Sequence, residues 1–308
     1  MTVLALVGPT ASGKSSLAVA IALRLITAGR ACEIVNGDSM LVYRGMDVGT
    51  AKPTVAERAG VPHHMIDVLD VRETASVAWF RDGARTAIAD CQARGARPIL
   101  VGGSALYTHA ILDRMDFPPT DAAVRARWEQ ELQRVGPQAL HGVLAERNRA
   151  AAAAILPGNG RRIVRALEVT ELTGDFNATL PDPEYAIPAR QIGLTVPVAE
   201  LDRRIADRVD AMWRAGFVDE VRTLATAGLR DGLTAARALG YRQVLAYLDG
   251  ELSEADAKQA TIVATRRFAR KQAAWWRRDH RIEWLPFDDP DLAEKIAAEI
   301  LGRGVDVG

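Results

Sequence analysis

Residues 3–15 read VLALVGPTASGKS, and this stretch decides the fold. Five apolar residues in a row, Val3 to Val7, have the length and composition of a strand buried on both faces of a parallel sheet. The next eight, GPTASGKS at 8–15, match the phosphate-binding loop, with Gly8, Gly13, Lys14 and Ser15 at the required spacing. Glycines let backbone N–H groups converge on phosphate oxygens, and the helix that follows turns its positive end toward the same anion. Lys14 adds a full charge, and the Ser15 hydroxyl can serve Mg²⁺ as a ligand. The pattern asks for a di- or triphosphate and leaves open whether that ligand is ATP. Residues 16–25, SLAVAIALRL, are apolar around the whole helix circumference, which predicts packing on both sides.

Outward from the loop, EIVN at 33–36, MIDV at 65–68 and RPILV at 97–101 read as further strands, and 76–94 has helical character. Strands alternating with helices imply a parallel sheet with right-handed crossovers, an α/β architecture of the P-loop NTPase-like kind. The pattern changes after Asp116. Pro118 and Pro119 break the chain, and strand signals vanish until QIGLTV at 191–196. Residues 121–174 are helical by composition, with turns at Gly136-Pro137 and at 157–160 and a stop at Gly174. The expected organisation is a core in two parts, 1–116 and 186–308, interrupted by a helical insertion at 117–185. The second part contains a long basic helix from 254 to about 279, started by Ser253 with Asp256 three residues on. RIEWL at 281–285 reads as a last strand.

Composition excludes several classes. The chain has 308 residues, 48% of them hydrophobic and 25% charged, which is ample for a packed core. Its apolar runs are too short to span a bilayer, and no secretory leader pattern is present. Two cysteines, Cys32 and Cys91, can build neither a disulfide framework nor a four-cysteine zinc site; they read as buried small hydrophobes of a reducing cytoplasm. Lys and Arg total 39, as do Asp and Glu, so any RNA contact has to come from local clusters.

Three such clusters exist. Arg161, Arg162 and Arg165 open an insertion helix. Arg237 and Arg242 flank Gly240 and Tyr241. Residues 266–281 hold Arg266, Arg267, Arg270, Lys271, Arg277, Arg278 and Arg281 against one acid, Asp279. Arg266, Arg270, Arg277 and Arg281 fall on one face if the helix runs through, with Phe268 and Trp275 on a neighbouring line, an arrangement suited to phosphate contact with aromatic support. The alternative is a solvated helix whose aromatics face the core.

The carboxylates are fewer. The second strand ends in NGDS, which puts Asp38 and Ser39 at the carboxyl edge of the sheet, where open parallel sheets bind ligands. The fourth ends in VGGS, which puts Ser104 at the same edge. Asp38 is the acid nearest the phosphates, as general base or metal ligand; Asp67 and Asp70 are weaker candidates. His63 and His64 read as structural, and His109, His141 and His280 carry no assigned role.

Nearly end to end, the chain resembles bacterial tRNA dimethylallyltransferases. The marks are GPTASGKSSLA at 8–18, NGDSMLVYRGMDVGTAKP at 36–53, PHHMIDV at 62–68, LVGGSALY at 100–107, RRIVRALEV at 161–169, AGFVDEV at 215–221, RALGYRQ at 237–243 and ATRRFARKQAAWWR at 264–277. The resemblance implies transfer of a dimethylallyl group from dimethylallyl diphosphate to N6 of the adenosine 3′ of the anticodon, with loss of diphosphate and help from Mg²⁺. It implies Asp38 as base, with Ser104 and Arg208 at the diphosphate or its bridging oxygen. Gly8, Thr10, Ala11, Ser12, Gly13, Lys14 and Ser15 complete the cradle. It implies tRNA contacts from Asp38, Ser39, Met40, Leu41, Arg161, Arg162, Arg165, Arg237, Gly240, Tyr241, Arg242, Arg270, Lys271 and Arg277, and a cytoplasmic monomer. Two rivals share part of this pattern: a small-molecule kinase using ATP, and a non-catalytic nucleotide-gated RNA binder. Serine at 15 and 104 stands where many relatives carry threonine, and Arg161 where glutamine is common.

Overall fold

The computed structural model describes residues 1–179 and 181–302. They form two compact units, one from residues 1–114 and 185 onward, the other from 115–184. The expected boundaries were 116/117 and 185/186.

The larger unit is a six-stranded sheet: β1 (Val3–Val7), β2 (Cys32–Asn36), β3 (His63–His64), β4 (Arg97–Gly102), β5 (Ala189–Thr195) and β6 (Ile282–Pro286). The order is β3-β2-β4-β1-β5-β6, and every pairing is parallel. β1 lies inside the sheet with all five residues buried, which explains its uninterrupted apolar run. Each valine or leucine side chain so removed from water contributes about 1.5–3 kcal/mol, so a polar replacement there is costly.

Helices of this unit are α1 (Lys14–Thr27), α2 (Val55–Arg58), α3 (Val77–Ala93), α4 (Ala105–Leu112) and, after the smaller unit's α5 (Ala122–Arg147), α6 (Arg149–Ala154) and α7 (Gly160–Thr173), α8 (Val198–Arg214), α9 (Phe217–Thr226), α10 (Tyr241–Leu248), α11 (Glu254–Trp276) and α12 (Leu292–Gly302). One sheet face, with Leu4, Leu6, Ile34, Ile99 and Ile192, packs on α1 and α12; the other, with Val3, Ala5, Val7, Val35 and Leu100, packs on α3 and α4. α1 thus has the sheet on one side and α12 on another, but Leu23 and Ile26 stay exposed. Among the described residues no helix is long and apolar enough to cross a membrane.

Two expectations need correction. The third strand is not 65–68 but the two residues before it. Met65 (φ 60) and Asp67 (φ 58) sit in the left-handed region, which ends extended pairing. The turned segment is held by Asn36, whose Nδ2 donates to the Met65 carbonyl at 2.8 Å, and by Lys52, whose Nζ lies 2.5 Å from Asp67 Oδ1. The basic helix stops at Trp276, three residues short. Its start is capped as read, with Ser253 Oγ accepting the Asp256 N–H at 3.1 Å.

In the smaller unit, α5 is broken at Gly136 (φ 79), just ahead of Pro137, and Gly174 ends α7 in the left-handed conformation. Its core is Trp128, Leu140, Leu144, Ile163 and Leu167. Glu168 is fully buried there and accepts from Thr120 Oγ1, the Asp121 N–H, Arg125 and Arg165, which together outweigh its burial and hold it down at about 2.

Candidate active site

A cavity of about 510 Å³ opens at the carboxyl ends of β1, β2 and β4. Each strand delivers its own residues. After β1 the phosphate loop turns through Gly8 (φ +127), Ala11 (φ 62) and Gly13 (φ +99) before entering α1. Gly13 caps α1 without a side chain, leaving the first-turn amides to the cavity. After β2 the chain runs past Gly37, where an added Cβ would lie 3.0 Å from the Gly102 Cα; the NGDS and VGGS loops need that close approach.

Lys14 is buried. Its Nζ donates to the Pro9 carbonyl at 2.6 Å and to Ser12 Oγ at 3.3 Å, both neutral acceptors. Burial, with Arg208 repelling it and Asp38 opposing, pushes its pKa down to about 7. Asp38 is held by a small scaffold: Asn36 Oδ1 accepts the Asp38 N–H, and Asn36 Nδ2 donates to the Asp38 carbonyl, both at 2.8 Å. Its carboxylate accepts the Met40 N–H at 2.9 Å. Burial raises the Asp38 pKa above the usual carboxylate value, against the pull of the Met40 amide, Lys14 and Arg208. Arg208, on α8, reaches Thr10 Oγ1 at 3.3 Å; burial lowers its pKa, and Asp38 opposes this. The cavity wall therefore carries two cations, Lys14 and Arg208, and two carboxylates, Asp38 and Glu57, with no direct ion pair between the two sets among the described residues; Glu57 accepts from the Thr54 N–H and hydroxyl.

The expected cradle residues divide. Thr10, Ala11, Gly13, Lys14, Ser15, Asp38, Leu41 and Arg208 line the cavity. Ser12 is buried beneath it under Lys14, and Gly8 sits at the entrance of the loop. Gly102 and Gly103 line it, with Ser104 one residue beyond, at the start of α4; the Ser104 hydroxyl is not spent capping that helix. Ser15 is exposed to the cavity, an oxygen donor of the kind Mg²⁺ accepts. Asp67 is occupied by Lys52. Val19, Leu23, Ile34 and Ile66 form an apolar part of the wall.

The basic clusters also divide. Arg161, Arg237, Arg242, Lys271 and Arg277 are exposed and have no ion-pair partner among the described residues. Arg162 donates to the Ala178 carbonyl. Arg165 is tied to Glu168 and the Pro118 and Pro119 carbonyls. Arg270 pairs with Asp202 on α8 at 2.6 Å, and Arg266 donates to the Asp202 carbonyl. Ser39, Gly240 and Tyr241 are buried, and Met40 is half-buried. The Tyr241 ring has no exposed surface for RNA; its hydroxyl donates to Glu220 at 2.6 Å. Glu220 also accepts the N–H groups of Asp47, Val48 and Gly49, so it anchors the loop that carries Thr50, Ala51 and Pro53 into the cavity wall.

Arg281 does not continue the helical row. It bridges Asp113 at 2.7 Å and Asp279 at 2.7 Å and stacks over Tyr185 at 4.1 Å. His109 joins them, 2.7 Å from Asp113. His64 likewise has a partner, Glu33 at 2.5 Å, where Cys91 and Arg94 also donate. Asn36, Glu220 and Gln272 were not singled out by the sequence. The available signal was their position inside the NGDS, AGFVDEV and ATRRFARKQAAWWR stretches.

Comparison with known proteins gives one consistent result. The family model described as IPP transferase matches residues 41–279, a span that begins after the phosphate loop. A tRNA dimethylallyltransferase of Cutibacterium acnes is 57% identical over 302 residues, 98% of this chain and 95% of the relative. One from Thermobifida fusca is 60% identical over 298 residues, covering 96% and 93%. The crystal structure of the full-length tRNA isopentenylpyrophosphate transferase from Bacillus halodurans is 38% identical and superposes with a TM-score of 0.72 over 98% of this chain and 96% of that one.

Proposed function

We propose, from the premise that this chain belongs to the IPP transferase family of bacterial tRNA dimethylallyltransferases, that it transfers the dimethylallyl group of dimethylallyl diphosphate to N6 of the adenosine 3′ of the anticodon. The chain is a prenyltransferase by family, and the small-molecule kinase reading is not favoured. The observation that carries the chemistry is the cavity's unpaired charge: among the described residues Lys14 and Arg208 donate only to neutral oxygens, and Asp38 faces the same space.

A departing diphosphate gains negative charge as the allylic C–O bond breaks. Lys14, Arg208 and the first-turn amides of α1 are fixed in advance where that charge develops, which is the efficient form of electrostatic stabilisation. The dimethylallyl cation is delocalised, so an allylic donor suits a site that stabilises the leaving group. The apolar wall of Val19, Leu23, Ile34 and Ile66 suits its five-carbon chain. Mg²⁺ fits the cavity through the Ser15 hydroxyl and would neutralise part of the diphosphate charge.

The adenine amine is a weak nucleophile because its lone pair is delocalised into the ring. Asp38 removes its proton as the new bond forms, a contribution of about 10²–10⁴ in rate. Its raised pKa strengthens it as a base, and the Asn36 scaffold keeps it aimed. The base must leave the anticodon stack to reach this cavity. The exposed Arg161, Arg237, Arg242, Lys271 and Arg277 supply the phosphate contacts. One chain provides the whole cavity, so a monomer suffices, and two free buried cysteines accord with the cytoplasm, where tRNA is found.

Incubation with radiolabelled dimethylallyl diphosphate and an unmodified anticodon stem-loop, followed by digestion, tests the reading. Prenylated adenosine is the expected product. Phosphoryl transfer from ATP to a small molecule, with no label in the RNA, would replace this reading by the kinase one.

A further inference from the structure

Gln272 sits on α11, buried, in the cavity wall, and no step of the transfer as described uses it. Its Oε1 accepts the Thr10 N–H at 2.9 Å, and its Nε2 donates to the Gly103 carbonyl at 2.8 Å. One turn further on, the fully buried Trp276 donates its Nε1–H to the same carbonyl at 3.2 Å. Thr10 belongs to the phosphate loop, and its hydroxyl accepts from Arg208. Gly103 immediately precedes Ser104. A single carboxamide thus spans the cavity's two loops. There is little slack, since a Cβ built on Gly103 would lie 2.9 Å from Gln272 Nε2.

Because the Thr10 amide is aimed at Gln272, it fixes the loop instead of serving as a phosphate donor. A primary amide suits the task, since it carries one acceptor and one donor on neighbouring atoms. Glutamate would set a second acceptor against the Gly103 carbonyl, and methionine would offer neither bond while filling the same space.

We propose that Gln272 is a positioning residue for the transfer, fixing the distance between the phosphate loop at Thr10 and the loop that carries Ser104. The proposal rests on the reading of the cavity as the diphosphate site. Misplacement of reacting groups by about 1 Å costs on the order of 10²-fold in rate. Both hydrogen bonds of the Gln272 carboxamide go to the two cradle loops and neither goes to Asp38, so its loss acts first on the cradle; its chain neighbour Lys271 faces solvent, and the stem-loop affinity monitors it separately.

The test uses the full chain with Gln272→Met and Gln272→Glu, the second retaining the acceptor for Thr10. Four quantities are measured: the thermal midpoint, inorganic diphosphate affinity by calorimetry, stem-loop affinity by fluorescence anisotropy, and the single-turnover rate at saturating donor. For Gln272→Met the expected result is a rate lowered roughly 10- to 100-fold and weakened diphosphate binding. Stem-loop affinity stays within about twofold, because the exposed side chains of Lys271 and Arg277 are left in place. A saturating rate equal to wild type overturns the proposal, as does RNA affinity falling in step with the rate. If Gln272→Met does not fold, Gln272→Glu carries the test under the same criteria. Wild-type protein that fails to bind diphosphate would overturn the cavity reading and this proposal together; wild-type binding with unaltered variants would overturn this proposal alone.

Discussion

Two groups of buried charge lie in the sheet unit, and they are built on opposite principles. Around Arg281 every charge is answered. Its guanidinium bridges Asp113 and Asp279, His109 adds a further contact, and Gln191 donates to Asp279. Hydrogen bonds from His109 and Arg281 outweigh burial at Asp113 and hold it below the usual carboxylate range; those from Arg281 outweigh burial at Asp279, which is held at about 2. Around Lys14 the charges face each other across open space. Lys14 is pushed down to about 7 and Asp38 up, each mainly by burial. A saturated network is costly to break at one member and leaves nothing for a ligand. An unsaturated one costs stability in the empty protein and returns it when a ligand of matching charge arrives.

Substitutions sharpen the contrast. The largest effect is expected from Asp38→Ala, which lowers the single-turnover rate by about 10²–10⁴ while the stem-loop still binds. A near-normal rate would remove Asp38 as the base. Arg281→Met strands two buried carboxylates and lowers the unfolding free energy by about 3–5 kcal/mol in urea titrations, with diphosphate affinity unchanged. Lys14→Met does the reverse. It weakens diphosphate binding by about 2–5 kcal/mol, and it leaves the empty protein as stable as wild type or more so.

Acidity distinguishes the groups more finely. The unfolded chain keeps the Lys14 proton up to its ordinary value near 10.5, whereas the folded protein gives it up near 7. Between these limits the unfolded state binds more protons, so this group makes stability rise with pH from about 7 to 10.5, and its contribution is lost as pH falls from 10.5 to 7 and changes no further below that. The increase in urea midpoint from pH 7 to 9 should shrink in Lys14→Met. For Asp113 and Asp279 the folded values are depressed, so their contribution is present above the unfolded value of 3.8 and is lost as pH falls below it. Acid unfolding should therefore begin at higher pH in Arg281→Met. The smallest effect is expected at the surface: Lys271→Glu or Arg277→Glu weakens stem-loop binding and lowers the salt slope by about one for each phosphate no longer neutralised. A flat salt response would return α11 to a solvated helix.

The contrast also explains what the sequence made readable. The phosphate loop is local: strand, glycines, Lys14 and helix are contiguous, so spacing alone places them. Asp38 and Ser104 were placed by the rule that parallel strands deliver ligands at their carboxyl ends; Asp38 lines the cavity, and Ser104 stands one residue beyond Gly103, which does. The Arg281 network was invisible, because its members stand at 109, 113, 191, 279 and 281 and meet only through the sheet. Arg281 was read into the basic helix because its spacing continues the row; the turn at Asp279, whose carboxylate accepts the Arg281 N–H at 3.0 Å, takes it off that face. The strand placed at 65–68 failed for a similar reason. Apolar Met65, Ile66 and Val68 fit a strand, while the left-handed backbone at Met65 and Asp67 is imposed by Asn36 and Lys52, partners 29 and 15 residues away. Gln272 stands in a basic stretch, and its two partners, the Thr10 amide and the Gly103 carbonyl, lie 262 and 169 residues away in sequence.

The most direct measurement is calorimetric titration of inorganic diphosphate into three proteins: wild type, Lys14→Met and Arg281→Met. Binding by wild type and Arg281→Met with equal affinity, and a loss of roughly 30-fold or more in Lys14→Met, is the expected pattern. Equal binding by wild type and Lys14→Met would contradict it, because the unsaturated charge at the end of β1 would then not be what holds the leaving group.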